Sequence, residues 1–193
     1  MKKIIGQSFL AAIMALGGAN AYALPFTVDA KVNSITGGVG LNTGIVLSAG
    51  EAFTATAGIG DLWSAGALPR WSNADGLVGN LFATGSDESG QAAGTLIGQD
   101  WGLITLNGLS APFGSLVGEL SGTYFKIGTS FSGTAPVSGT LKLFYWDGFS
   151  GDNSGTVVVN ISKSTAVPEP SSFLLLILGL CAICLAVHRR RTA

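Results

Sequence analysis

Apolar and polar residues alternate over short stretches of this chain, and no long apolar stripe of helical period runs through its middle. Gly155-Thr-Val-Val-Val-Asn-Ile-Ser162 is the clearest case. Side chains two residues apart share one face of a strand, so Val157, Val159 and Ile161 are predicted to face a core. Gly139-Thr-Leu-Lys-Leu-Phe-Tyr-Trp146 reads the same way. Further predicted strands are 28–35, Ala52–Ala57, Ser115–Leu120 and 123–131. Gly37-Gly38, Asn73 to Gly76, Asn107-Gly108 and Asp147-Gly148 punctuate these runs, because Gly, Asn and Asp supply the backbone conformations of tight turns. Short strands joined by glycine turns predict an all-β domain, a jelly-roll-like antiparallel β-sandwich. Residues 72–112 carry the weakest pattern, with 85–90 an exposed loop.

The two ends depart from this alternation. Lys2 and Lys3 precede the apolar run Phe9 to Leu16, and Ala21-Tyr22-Ala23 fits a small-x-small cleavage site. Residues 1–23 are therefore expected to be a signal helix removed by signal peptidase. Near the other end, 173–187 is uncharged and mainly apolar; as a helix it extends about 22 Å, against a hydrocarbon core of about 30 Å. Ser171 and Ser172 lengthen it to the lower limit of a span, which makes 171–187 a predicted transmembrane helix. His188, Arg189, Arg190 and Arg191 then hold the tail on the cytoplasmic side, with the domain outside the inner membrane.

Pro168-Glu169-Pro170 stands just before that apolar segment, where each proline removes a backbone donor and blocks a helix or central strand. This order, Pro-Glu-Pro, short apolar helix and arginine cluster, resembles the PEP-CTERM sorting signal. The resemblance implies recognition by an exosortase and delivery to the cell envelope or extracellular matrix of a Gram-negative bacterium. Three regions follow: signal peptide 1–23, exported domain 24–163 and sorting region 164–193.

Composition narrows the chemistry. Glycine, at 29 residues, is about twice its usual share and argues against a helical bundle. Residues 24–166 carry Lys31, Arg70, Lys126, Lys142 and Lys163 against ten acidic side chains, an excess of negative charge that excludes a nucleic-acid footprint. Cys181 and Cys184 both fall in the apolar tail segment and His188 follows it, so the domain holds neither thiol nor imidazole. That removes Ser-His-Asp and Cys-His catalysis and the usual zinc and copper sites. Paired acids remain for glycoside chemistry, Asp87 with Glu88 or Asp100 with Glu119, although neighbouring loop acids are usually just solvated. Trp63, Trp71 and Trp146 are candidates to stack on a sugar, against the plainer expectation of buried aromatics.

Hard-metal chemistry with oxygen ligands is the other possibility. Asp147-Gly-Phe-Ser-Gly-Asp152-Asn153-Ser-Gly155 joins the two clearest strands and carries two carboxylates and an amide on a glycine-bearing loop. Calcium takes six to eight oxygens at about 2.3–2.6 Å. The same residues also suit a plain polar hairpin connection.

The domain is similar to the calcium-dependent galactophilic bacterial lectins. The similarity is carried by Asn42 to Gly50, Trp63-Ser-Ala-Gly66, Gly114 to Leu120, Gly139 to Asp147 and Asp152 to Ile161. It implies a small jelly-roll sandwich in which Asp147, Asp152, Asn153 and the backbone carbonyl of Ala65 hold calcium. The ion in turn coordinates sugar hydroxyls. The family's sugar-contacting histidine has no counterpart here and its glutamine is not identifiable around residues 72–91, so galactose specificity does not carry over. The implied function is non-enzymatic: glycan binding, exopolysaccharide included, after export. The alternatives are a structural surface protein without ligand and a glycoside-processing enzyme.

Overall fold

The computed structural model describes residues 23–163 together with Gly179 and His188. The signal segment up to residue 22, Pro168-Glu169-Pro170, the apolar segment apart from Gly179, and Arg189 to Arg191 lie outside the described residues. Among the described residues no helix is long and apolar enough to cross a membrane. Residues Ala21–Ser164 form a unit of their own.

The strands in chain order are β1 (Leu24–Asp29), β2 (Leu41–Leu47), β3 (Ala52–Ala57), β4 (Trp63–Ser64), β5 (Trp71–Ser72), β6 (Leu81–Phe82) and β7 (Leu96–Gly98). They continue with β8 (Leu103–Leu106), β9 (Leu109–Pro112), β10 (Ser115–Leu120), β11 (Thr123–Lys126), β12 (Ser130–Thr134), β13 (Gly139–Trp146) and β14 (Ser154–Lys163). One antiparallel sheet runs β12-β3-β14-β4-β5, with β1 also paired to β14. A second runs β11-β10-β13-β2, and β6–β7 and β8–β9 are separate hairpins.

Side chains of both main sheets meet in one apolar cluster. Val157, Val159 and Ile161 of β14, Leu141, Leu143 and Tyr145 of β13, and Leu116 and Leu120 of β10 all belong to it. The alternation of β14 thus places the three predicted residues in the core. Burying a side chain of this size stabilises the fold by about 1.5–3 kcal/mol. The opposite faces of β10 and β13 are covered as well. Val117, Phe144 and Trp146 pack under Ile104, Leu106 and Leu109 of the β8–β9 hairpin. That hairpin turns through Asn107 and Gly108, both at positive φ (45° and 84°), as a two-residue loop twisted to match its strands requires.

Two predicted strands are corrected. The 28–35 run stops at Asp29, because the Asp29 carboxylate accepts the N–H groups of Lys31 and Val32 and turns the chain. The 123–131 run breaks into β11 and β12, which lie in different sheets. Between them Gly128 takes a φ of 69°, and Thr129 gives both its N–H and its hydroxyl to Asp75.

Candidate cation and glycan site

Two connections build the site. The first is the β4–β5 loop, held by Trp63↔Ser72 and Ser64↔Trp71 pairing and closed by Ala65 N–H donating to the Arg70 carbonyl at 3.0 Å. The second is the β13–β14 connection from Asp147 to Asn153. Its Lys31 and Ala30 neighbours come from the turn that ends β1. Lys31 Nζ donates to the Gly151 carbonyl at 3.2 Å, and Asn153 Nδ2 donates to the Ala30 carbonyl at 3.1 Å.

Two of the predicted oxygen donors, Ala65 and Asp147, share a cavity between these loops. Ala65 and Asp147 line one cavity of about 100 Å³, along with Arg70, Leu77, Trp101 and Phe113. Asp152 reaches the same place from the other loop. Arg70 Nη1 stands 3.3 Å from Asp152 Oδ2 and 3.3 Å from the Ala65 carbonyl oxygen. Asn153 lies close enough to Asp147 to favour its charged form.

Burial differs sharply among the donors. Asp147 is 6% exposed and Asn153 4%, whereas the Asp152 side chain is 43% exposed. Burial raises the Asp147 carboxyl above its usual 3.8, helped by the nearby Asp152 charge and opposed by N–H groups of Gly148 and Phe149 and by Asn153. Burial and the Asp147 and Asp152 charges likewise push the Tyr145 hydroxyl well above 10. Both shifts have one physical origin: negative charge in a poorly solvated place.

Several observations suit a hard cation here. All four predicted donors are oxygens, the ligand type that calcium selects. Asn153 Oδ1 is buried with no hydrogen-bond partner, a position that normally costs stability unless something binds it. None of the ion pairs among the described residues involves Asp147. Gly66 stands at φ 116°, and a β-carbon on it would fall onto Asp152 Oδ2, so the missing side chain clears that carboxylate's path. No group of three or more His, Cys, Asp or Glu side chains among the described residues could hold a metal. A cation here must therefore draw on the amide, the carbonyl and solvent or ligand oxygens besides two carboxylates.

Two residues of the site escape sequence reasoning. Arg70 is the sole basic side chain of the β4–β5 loop, and its guanidinium carbon lies 4.6 Å from the centre of the Trp101 ring. Trp101, 39% exposed, sits in the short β7–β8 connection, where an aromatic flanked by Asp100 and Gly102 is the signal that marks it. The tryptophans read from sequence as stacking candidates behave otherwise. Trp63 and Trp146 are fully buried, with Trp63 Nε1 donating to the Gly114 carbonyl and Trp146 Nε1 to that of Ile104. Trp71 is half-buried beside Leu62, Ala83 and Ile97.

The paired acids are occupied locally. Asp87 accepts from Thr84 and Ser89 within its own loop, which lowers its carboxyl to about 2. Glu119 is buried, pairs with Lys142 at 3.5 Å and accepts the Gly122 N–H. Asp100 Oδ1 accepts the Gly102 N–H at 2.7 Å.

Residues 166–191 match the PEP-CTERM protein-sorting motif. The carboxyl-terminal region is a sorting signal. Its 26 residues include Pro168, Glu169, Pro170, Arg189, Arg190 and Arg191, and the match marks an exported protein sorted by way of the membrane. Among solved structures, a chain described as "EclA N-terminal domain; PllA-like lectin" is similar at 24% sequence identity. It has a TM-score of 0.48 and spans 74% of this chain and 98% of that one. No curated protein matches the chain.

Proposed function

We propose that this PEP-CTERM protein is a non-enzymatic, lectin-like surface protein whose domain, 24–163, is a jelly-roll sandwich binding glycan through calcium. The observation that carries the reading is that Ala65 and Asp147 line one small cavity with an exposed tryptophan, Trp101, while Arg70 Nη1 links the Ala65 carbonyl to Asp152 at 3.3 Å each. The likeness of the β13–β14 connection to the galactophilic lectins supports calcium as the ion. Asp147, Asp152, Asn153 and the Ala65 carbonyl would hold calcium, which would supply a hard Lewis acid for sugar hydroxyls. Asp147 and Asp152 would balance its charge, Asn153 and Ala65 would contribute neutral oxygens, and Trp101 would offer a ring face to the sugar. Glycan of the extracellular matrix, exopolysaccharide included, is the ligand class. Export involves signal peptidase acting after residue 23, a membrane-held precursor with 171–187 as its span, and exosortase acting on the sorting region.

Calcium titration of the full chain in detergent by calorimetry, followed by a glycan array with and without chelator, tests this. Binding heat, a higher melting temperature and chelator-sensitive glycan capture are expected. A chain that gives neither heat nor a melting shift with calcium removes the reading. One observation favours the second reading, a structural surface protein: Arg70 already ties Asp152 to the β4–β5 loop with its own positive charge. That reading predicts silence in both assays.

A further inference from the structure

Arg70 stands where a bound cation would draw its ligands. A single guanidinium nitrogen, Nη1, is 3.3 Å from each of two predicted donors, the Ala65 carbonyl oxygen and Asp152 Oδ2. The same guanidinium lies over the Trp101 ring. A β-carbon on Gly66 would stand 3.1 Å from Nη1 as well as on Asp152 Oδ2, so that glycine makes room for the arginine and the carboxylate together.

The placement of Arg70 is built into the fold rather than left to a free surface side chain. Its backbone bridges to Gly98 of β7, and Pro69 and Trp71 flank it in the β4–β5 loop. That bridge brings it beside the β7–β8 connection carrying Trp101. Charge makes the arrangement consequential. Asp147, Asp152 and Arg70 leave the site one negative charge in excess, and a divalent ion reverses that sign. A guanidinium and a divalent ion then compete for the same oxygen lone pairs at close range, and each repels the other.

We propose that Arg70 is the resident counter-cation of this site: a divalent ion binds by displacing its guanidinium from Asp152 and the Ala65 carbonyl, and the displaced side chain uncovers the Trp101 ring. The proposal rests on the calcium reading above and adds the device that regulates it. The Arg70 and Asp152 side chains are 34% and 43% exposed, and exposed ion pairs contribute little to stability, so the displacement is within reach of an ion held by several oxygens at once. Ion binding and uncovering of the ring face under Arg70 become one event, which enlarges the aromatic surface open to glycan in the loaded protein.

The test is calcium titration by calorimetry of the full chain in detergent, comparing the unaltered protein with R70M and R70K, with tryptophan emission followed in parallel and W101F as its control. R70M keeps an unbranched apolar side chain of similar length and removes the competing charge. It is expected to bind calcium about ten-fold tighter or more, as ligand charge count sets affinity at such sites. R70K keeps the charge without the fork and is expected to fall between, which also covers failure of R70M to fold. Calcium should change the emission of the unaltered protein, and W101F should lose that change. Equal or weaker binding by both variants overturns the competition and leaves the calcium reading standing. Binding by the variants alone upholds the competition and overturns the calcium reading of the natural chain. No binding by any of them overturns both.

Discussion

Gly66 and Asp152 share the space of one side chain: the carboxylate occupies the position that a β-carbon on residue 66 would take. The two residues are far apart in sequence and meet because β4 pairs with the first residues of β14, Ser154↔Ser64 and Gly155↔Trp63. Gly66→Ala therefore suffers twice, from a φ of 116° and from collision with Asp152. We expect a loss of about 1–3 kcal/mol in urea denaturation, with weaker calcium binding. An alanine variant as stable as the parent shows that the loop does not need this approach.

Asp147 contributes to the pH response of the ion-free protein. Its carboxyl is raised above 3.8, chiefly by burial, so the folded state holds that proton more tightly than the unfolded chain does. The stability it contributes is present below the unfolded value and lost as pH rises through the folded one. Other carboxylates act oppositely, Asp87 among them with its lowered value of about 2, so the informative quantity is a difference. In chelator, the stability of Asp147→Asn relative to the parent should climb as pH rises above 3.8. With calcium present the order should invert, because the variant has lost a ligand. Melting curves across pH, with and without calcium, read both effects; parallel curves would refute the assignment.

Tyr145 presents a different kind of buried polar group. Its hydroxyl has no partner among the described residues, while its ring packs edge-on to Trp63 with centroids 4.6 Å apart. An unmet buried hydroxyl costs about 1–3 kcal/mol. Tyr145→Phe keeps the ring and removes that cost, so chemical denaturation should find it as stable as the parent or more so. A clear loss would show that the hydroxyl is hydrogen-bonded in solution.

Leu143 tests the contact between sheets. It is fully buried in the shared cluster, and Leu143→Ala should lower unfolding free energy by about 2–5 kcal/mol. A loss under about 1 kcal/mol would mean the cluster yields and refills the gap.

Trp101 separates ion binding from sugar binding. Trp101→Ala removes the ring at the cavity edge but none of the four oxygen donors. Calcium heats should persist while glycan capture falls. Undiminished capture would place the sugar elsewhere.

The sequence determined the features whose physics is local. Alternation alone specifies β14, since period-two burial sends Val157, Val159 and Ile161 inward whatever they meet there. Asn107-Gly108 forms its hairpin because those residues tolerate positive φ. The Pro-Glu-Pro, apolar and arginine order of the sorting signal is likewise written in linear sequence. Folding decided what depends on distant partners. Asp75 breaks the 123–131 run from 54 positions away, a choice no window around Gly128 contains. The same holds for the cavity. Its oxygen donors were legible as residue types, but Arg70 and Trp101 join them only through strand pairing and the Arg70–Gly98 bridge. Periodicity records which face of a strand is dry; the charge set opposite that face is recorded only where the chain comes back to meet it.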